Sequence, residues 1–91
     1  MQEIYKKLTI KGRVQGVGFR FSAREQARKY GVKGYVKNLP TGNVEIKVSG
    51  PEKNVNLYVQ WCNEGPSHAY VEDMFVEDTE PENFKTFDVK H

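Results

Sequence analysis

The sequence predicts an α+β fold in which two helices lie on one face of a mainly antiparallel sheet. Three observations support this prediction: an alternating apolar pattern near the start, two segments with helical spacing of apolar residues, and a short turn that joins two strands as a hairpin. The resulting order, β-α-β-β-α-β, matches the split ferredoxin-like motif. The 91 residues provide for one small domain, which we expect to span 1–91.

Two different spacings of apolar residues predict the first strand and the first helix. Leu8 and Ile10 alternate with polar neighbours, so we expect a half-buried strand over 5–14. After a glycine-containing loop, apolar residues recur at helical spacing over about 20–30, and Gly31 is well placed to end that helix. The inward face of this helix consists of Phe19, Ala23, Ala27 and Tyr30.

The hairpin and the second helix occupy the middle of the chain. Segments 32–38 and 43–49 are typical of strands, and the turn 39–42 between them, Leu-Pro-Thr-Gly, indicates a hairpin. Pro51 is tolerated at a helix start, and Gly65-Pro66 lies beyond the expected helix end. The inward face of the second helix consists of Val55, Tyr58, Val59 and Cys62.

The last third of the chain predicts two more strands. The fourth strand is expected over 69–77, although its alternation is imperfect around Asp73, and a short fifth strand over 84–89. Between them, the acidic segment 77–82 is expected to be a solvated loop.

Composition narrows the functional classes. A net charge of +2, with acids and bases mixed along the chain, gives no reason to expect long-range attraction to nucleic acid or membrane. Cys62 is the only cysteine, so no internal disulfide can form, and its inward position favours packing over reactivity. The start of the chain lacks a signal-peptide pattern, and no apolar run approaches a membrane span, so we expect a cytoplasmic protein. A single domain with no partner segment suggests a monomer. His68 and His91 have no partner histidine or cysteine pair, so no metal site is expected.

The strongest functional signal is the run Gly12-Arg13-Val14-Gln15-Gly16-Val17-Gly18-Phe19-Arg20. Its small residues allow backbone N–H groups to converge on an anion, and a helix N-terminus adds free N–H groups and partial positive charge. Arg20 is a cation at this helix end, which is unfavourable by roughly 0.3–1 kcal/mol unless an anion lies between them. The run therefore predicts a phosphate-binding loop with Arg20 as its charged clamp. The residues alone leave another interpretation open, in which the glycines are ordinary turn residues and Arg20 is an exposed helix residue.

Three other phosphate loops do not fit this run. A Walker loop ends in Gly-Lys-Ser/Thr, whereas Phe19-Arg20-Phe21 stands here. A dinucleotide fingerprint needs a small residue where Phe21 stands. A cysteine-dependent phosphatase needs a thiolate at the start of the loop, and no cysteine precedes Arg20. The predicted loop therefore binds phosphate without supplying a nucleophile.

Asn38 is a second candidate, at the end of the second strand where the hairpin turn begins. Asparagine is a favoured turn residue, and that alone could explain its presence. The approach of Asn38 to Arg20 depends on sheet twist and loop path, which spacing along the chain does not determine.

The two candidate regions resemble a known family. Gly12-x-Val14-Gln15-Gly16-Val17-x-Phe19-Arg20 is similar to the N-terminal signature of acylphosphatases, and Gly34-Tyr35-Val36-Lys37-Asn38-x-x-x-Gly42-x-Val44 is similar to their second signature. The likeness extends through Gly65-Pro66 and covers nearly the whole chain, with one departure at Thr41-Gly42, where many relatives have Asp-Gly.

The resemblance implies hydrolysis of the carboxyl–phosphate bond of small acyl phosphates, without a metal or other cofactor. It implies that Arg20 binds the phosphoryl group and that Asn38 positions the attacking water. It further implies that the backbone of the loop completes the phosphate site, through Gln15, Gly16, Val17, Gly18, Phe19 and Arg20.

A binding module for nucleic acid or a small ligand is the alternative from another class, because ferredoxin-like sheets often serve that purpose. Lys33-Gly34-Tyr35 is similar to the opening of an RNA-recognition strand. Val36 then replaces the expected small residue, and Lys37-Asn38 replace the next aromatic and apolar positions. The small net charge also disfavours this alternative.

Overall fold

Within residues 2–91, five strands form one sheet, and two helices pack against it. The computed structural model describes residues 2–91; Met1, which the predicted domain includes, lies outside the described residues. The elements in chain order are β1 (Glu3–Arg13), α1 (Phe19–Tyr30), β2 (Lys33–Asn38), β3 (Val44–Pro51), α2 (Glu52–Glu64), β4 (Tyr70–Asp78) and β5 (Phe87–Lys90). The predicted order of elements is confirmed. Neither helix within residues 2–91 has the length and apolar character needed to cross a membrane.

The strand order across the sheet is β4-β1-β3-β2-β5. β1 pairs antiparallel with β3 and β4, and β2 pairs antiparallel with β3, which confirms the hairpin. β5 pairs parallel with β2, and the register places Phe87 opposite Gly34 and Lys90 opposite Lys37. This parallel pairing brings residues 90 and 91 to the same end of the sheet as Asn38.

The core lies between the sheet and the helices. Leu8 and Ile10 of β1 are fully buried, as their alternation predicts. α1 ends at Gly31, whose left-handed conformation (φ 69°) lets its N–H bond back to the helix carbonyls. Tyr58 of α2 is buried and donates its hydroxyl to the Ala23 carbonyl oxygen at 3.0 Å, which links the helices. The helices bury Phe19, Ala23, Ala27, Val55, Tyr58 and Cys62.

The predicted acidic loop over 77–82 is partly wrong, because its first two residues continue β4. Glu77 and Asp78 lie opposite Lys7 and Lys6 of β1, and each carboxylate forms an ion pair with the lysine that it faces. An acidic edge strand lacks the apolar alternation by which strands are recognised, and the facing lysines lie in a distant part of the sequence. The residues after Asp78 are not in a strand until Phe87.

Replacing Gly34 by alanine should reduce the free energy of unfolding by about 2–4 kcal/mol. Gly34 has φ 146°, and an added Cβ would lie 1.8 Å from the Lys47 carbonyl oxygen of β3. Gly42→Ala is the matched control, since Gly42 also has a positive φ (96°) but has no atom within 4 Å of an added Cβ. Urea unfolding at 25 °C measures both variants, and equal losses would show that the steric clash contributes nothing.

Candidate active site

A cleft of about 350 Å³ opens where the loop between β1 and α1 meets the ends of β2 and β5. Four of the six predicted loop residues line it: Gly16, Gly18, Phe19 and Arg20. Asn38, at the end of β2, lines the same cleft. The structure thus brings together the two candidate side chains whose distance the sequence left open.

The loop between β1 and α1 leads into the start of α1, and this helix end faces the cleft without a capping side chain. Gly16 and Gly18 have φ of 75° and 78°, a conformation that glycine adopts without steric cost. Gly18 is the N-cap of α1; it makes no side-chain capping bond, and the first turn contains no acidic residue. The first helical bond runs from the Ser22 N–H to the Gly18 carbonyl oxygen, so the N–H groups of residues 18–21 precede the helical ladder. This end of the helix therefore offers donors and partial positive charge to an anion.

The side chains of Gln15 and Val17 point away from the cleft. Gln15 Nε2 donates to the Leu39 carbonyl oxygen at 2.9 Å and to the Asn43 carbonyl oxygen at 2.8 Å. Val17 packs against the hydrophobic core. The sequence did not predict that the Gln15 side chain would hold the loop in place. It could have been suspected because Gln15 is a long polar side chain in a loop of otherwise small and apolar residues. Its two bonds fix the loop against the β2–β3 turn.

Arg20 lies in the first turn of α1 and is partly buried. Its Nη1 donates to the Lys90 carbonyl oxygen and contacts Nδ1 of His91, both at 3.3 Å. Within residues 2–91, no carboxylate lies at ion-pairing distance from Arg20, in contrast to Arg24 and Arg28, which both pair with Glu25. Arg20 thus places an uncompensated positive charge in the cleft.

Asn38 is the last residue of β2, paired with Val44 of β3. Its side-chain oxygen Oδ1 is buried and accepts no hydrogen bond from any group in residues 2–91. Buried polar atoms are almost always hydrogen-bonded, because an unpaired one costs about 1–3 kcal/mol. Asn38 thus lines the cleft with an acceptor that the described residues leave unpaired; because Oδ1 itself is closed to solvent in this conformation, it meets a donor from the cleft after rotation of the amide.

Other residues of the cleft did not emerge from the sequence. Phe21 and Arg24 line it from α1, and Val89 and His91 line it from the end of the chain. Arg24 follows Arg20 by four residues, a spacing that places both on one side of α1. This spacing could have predicted that Arg24 lines the cleft. The approach of residues 89–91 depends on the parallel pairing of β5 with β2, for which no local pattern exists.

The remaining candidate residues lie elsewhere in the structure. Cys62 is fully buried, and burial raises the pKa of its thiol, so it packs as an apolar side chain. His68 is exposed. No group of three histidine, cysteine, aspartate or glutamate side chains within residues 2–91 is arranged to hold a metal ion.

Comparison with known proteins identifies the family to which this chain belongs. The acylphosphatase family model matches residues 6–89. An acylphosphatase of Trichormus variabilis is 47% identical over 81 residues, 89% of this chain and 80% of the relative. One of Nostoc sp. is 45% identical over 89 residues, 98% of this chain and 88% of the relative.

The fold agrees with this assignment. The structure of an acylphosphatase from Coxiella burnetii superposes with a TM-score of 0.92 at 35% identity, covering 97% of this chain and 93% of that one. One from Bacillus subtilis gives a TM-score of 0.93 at 32% identity, covering 97% and 99%. The predicted ferredoxin-like fold and the family resemblance are confirmed. The chain belongs to the acylphosphatase family, whose members are hydrolases.

Proposed function

We propose that this protein hydrolyses the carboxyl–phosphate bond of small acyl phosphates and releases a carboxylate and inorganic phosphate. One observation carries the assignment to this cleft: the uncapped start of α1, Arg20 and Asn38 all line it. The family supplies the reaction class, and the cleft supplies the groups that this reaction needs.

Arg20 and the backbone of residues 15–20 hold the phosphoryl group. A guanidinium is a planar fork of donors that suits two phosphate oxygens at once, and it stays charged at any physiological pH. The N–H groups at the start of α1 provide donors for the equatorial oxygens as the phosphoryl group flattens in a loose transition state. Most of the catalytic effect then comes from positioning and charge stabilisation.

Asn38 orients the attacking water in line with the breaking bond. An amide is too weak a base to remove a proton, but its oxygen accepts a hydrogen bond from water. Asn38 lines the cleft at the end of β2, so its amide can hold the water beside the bound phosphoryl group, and less entropy is lost in reaching the transition state.

The leaving group explains why so few residues suffice. A carboxylate leaves as an anion near neutral pH, because the pKa of its conjugate acid is close to that of Asp or Glu. No general acid is therefore required, and the reaction that we propose uses no metal ion or other cofactor.

Hydrolysis of benzoyl phosphate in the presence of a metal chelator tests this proposal. We expect the purified protein to turn the substrate over at the same rate with and without the chelator. A folded protein that binds inorganic phosphate but hydrolyses neither benzoyl nor acetyl phosphate would contradict the proposed reaction and leave a phosphate-binding module.

We further propose that the chain works as a single domain over 1–91, as a monomer in the cytoplasm, on a small molecule and without nucleic acid or membrane. One continuous hydrophobic core joins β1–β3, both helices and β5, which supports the single domain. The mixed charge distribution supports the absence of a nucleic-acid partner. Light scattering at several protein concentrations tests the monomer.

A further inference from the structure

We infer that Phe21 forms the binding surface for the acyl group and makes the enzyme selective for acyl phosphates with an aromatic acyl group. This inference rests on the proposed function and names the substrate class that the same cleft prefers. The reaction needs Arg20, the loop and Asn38; Phe21 adds discrimination among leaving groups.

The position of Phe21 is the first reason. The residue directly follows Arg20, belongs to the same helical turn and lines the same cleft. Its side chain is 60% exposed. A single exposed apolar side chain is ordinary on a protein surface, so the exposure alone would mean little. Beside the phosphate clamp, however, the ring is continuous with the site from which the acyl part of a bound substrate must extend.

The second reason is that Arg24 supports the ring. The Arg24 Cζ atom lies 5.4 Å from the centroid of the Phe21 ring, within the range of a cation–π contact. The contact restricts the ring, so a substrate finds its apolar surface already positioned. Val14 and Val89, from the β1–α1 loop and from β5, add further apolar lining to the cleft.

The charges decide between an apolar and an anionic acyl group. Arg24 Nε lies 3.5 Å from Glu25 Oε2, a carboxylate oxygen that Arg28 also contacts, and makes no hydrogen bond within residues 2–91; Arg24 Cζ lies 5.4 Å from the centroid of the Phe21 ring. Arg20 has no carboxylate partner within residues 2–91 and is required by the phosphoryl group. The cleft therefore offers Arg20, which has no carboxylate partner in the described chain, for the phosphoryl group, and the Phe21 ring, with Arg24 and its Glu25 ion pair beside it, for the acyl group. An aromatic acyl group gains most, because it can stack on the Phe21 ring.

The test compares benzoyl phosphate with acetyl phosphate in the wild type and in Phe21→Ala. We expect the ratio of the two kcat/KM values, benzoyl over acetyl, to fall about tenfold in the variant, as loss of an aromatic contact predicts. Using the ratio within each protein removes the intrinsic difference in reactivity between the two substrates. Inhibition by inorganic phosphate, measured alongside, reports on the phosphate site itself.

Two variants complete the design. Phe75→Ala is the matched control, because Phe75 is 54% exposed, lies on β4 and does not line the cleft; its ratio should equal that of the wild type. Phe21→Leu keeps an apolar surface without a ring and should give an intermediate ratio.

The outcomes separate this inference from the proposed function. A wild type that hydrolyses neither substrate overturns the proposed function and this inference with it. A wild type that hydrolyses both, with an unchanged ratio in Phe21→Ala, overturns only the role of Phe21. The wild type could instead prefer an acyl phosphate with a distal carboxylate and lose this preference in Arg24→Gln. That result would also overturn the role of Phe21, because the acyl group would then be recognised by charge.

Discussion

We expect Arg20→Gln to lower kcat/KM for benzoyl phosphate by about 10³-fold or more and to weaken competitive inhibition by inorganic phosphate about tenfold or more. Arg20 is the cleft guanidinium without a carboxylate partner in the described chain, and its fork of donors is the group best suited to phosphoryl oxygens. Glutamine has similar length but no charge, so both ground-state binding and stabilisation of the transition state are lost. Steady-state kinetics with phosphate as the inhibitor measures both effects.

The control for charge is Arg28→Gln on the same helix. Arg28 is exposed and pairs with Glu25 on the solvent side of α1, so the same change in net charge should leave both constants within twofold of the wild type. Arg20→Lys keeps the charge but loses the planar fork and should lie between wild type and Arg20→Gln. Unchanged phosphate affinity in a folded Arg20→Gln would show that Arg20 is not the clamp.

We expect Asn38→Ala to lower kcat about 10²–10³-fold while phosphate inhibition stays within twofold of the wild type. The amide oxygen of Asn38 has no partner in residues 2–91, so its removal breaks no bond within the described protein. In the proposed mechanism the loss falls on the orientation of the attacking water, which contributes to the chemical step and not to phosphate binding. Parallel measurement of kcat and of the phosphate inhibition constant separates this result from that of Arg20→Gln.

Asn63→Ala provides the matched control for the loss of an amide. Asn63 is exposed on α2 and does not line the cleft, so its kcat should remain that of the wild type. If Asn38→Ala weakens phosphate binding as strongly as it lowers kcat, then Asn38 holds the phosphoryl group and does not orient water.

Most of the fold could be predicted because its signals are local. The alternation of Leu8 and Ile10, the helical spacing that ends at Gly31, and the turn before Gly42 each depend on a few neighbouring residues, and each element is present. The predicted fourth strand ends at Glu77, and Asp78 was missed because it is a strand residue through its pairing with Lys6, about 70 positions earlier in the sequence. Interactions of that range leave no periodic pattern in a single segment.

The same distinction applies to the cleft. Arg20 and the loop glycines could be predicted from one short run, because a strand, a loop and a helix start follow one another there. The meeting of Asn38 with Arg20, and the approach of His91 to both, depend on how β2 and β5 pair within the sheet. No sequence pattern distinguishes the exposed Phe21, because its proposed role depends on its position in the cleft next to Arg20 and Arg24.

The two hydrogen bonds from Gln15 have a consequence for how this site can change during evolution. Gln15 contacts the turn through the main-chain oxygens of Leu39 and Asn43, which any residue supplies. The side chain at position 41, where Thr41 replaces the aspartate of many relatives, can therefore change without loss of the two Gln15 bonds, whereas Gly42, with φ 96°, is fixed by its backbone conformation. Substitutions of Thr41 therefore leave the position of the β1–α1 loop relative to the β2–β3 turn unchanged. Selection can act on residue 41 and on the Gln15 contacts independently.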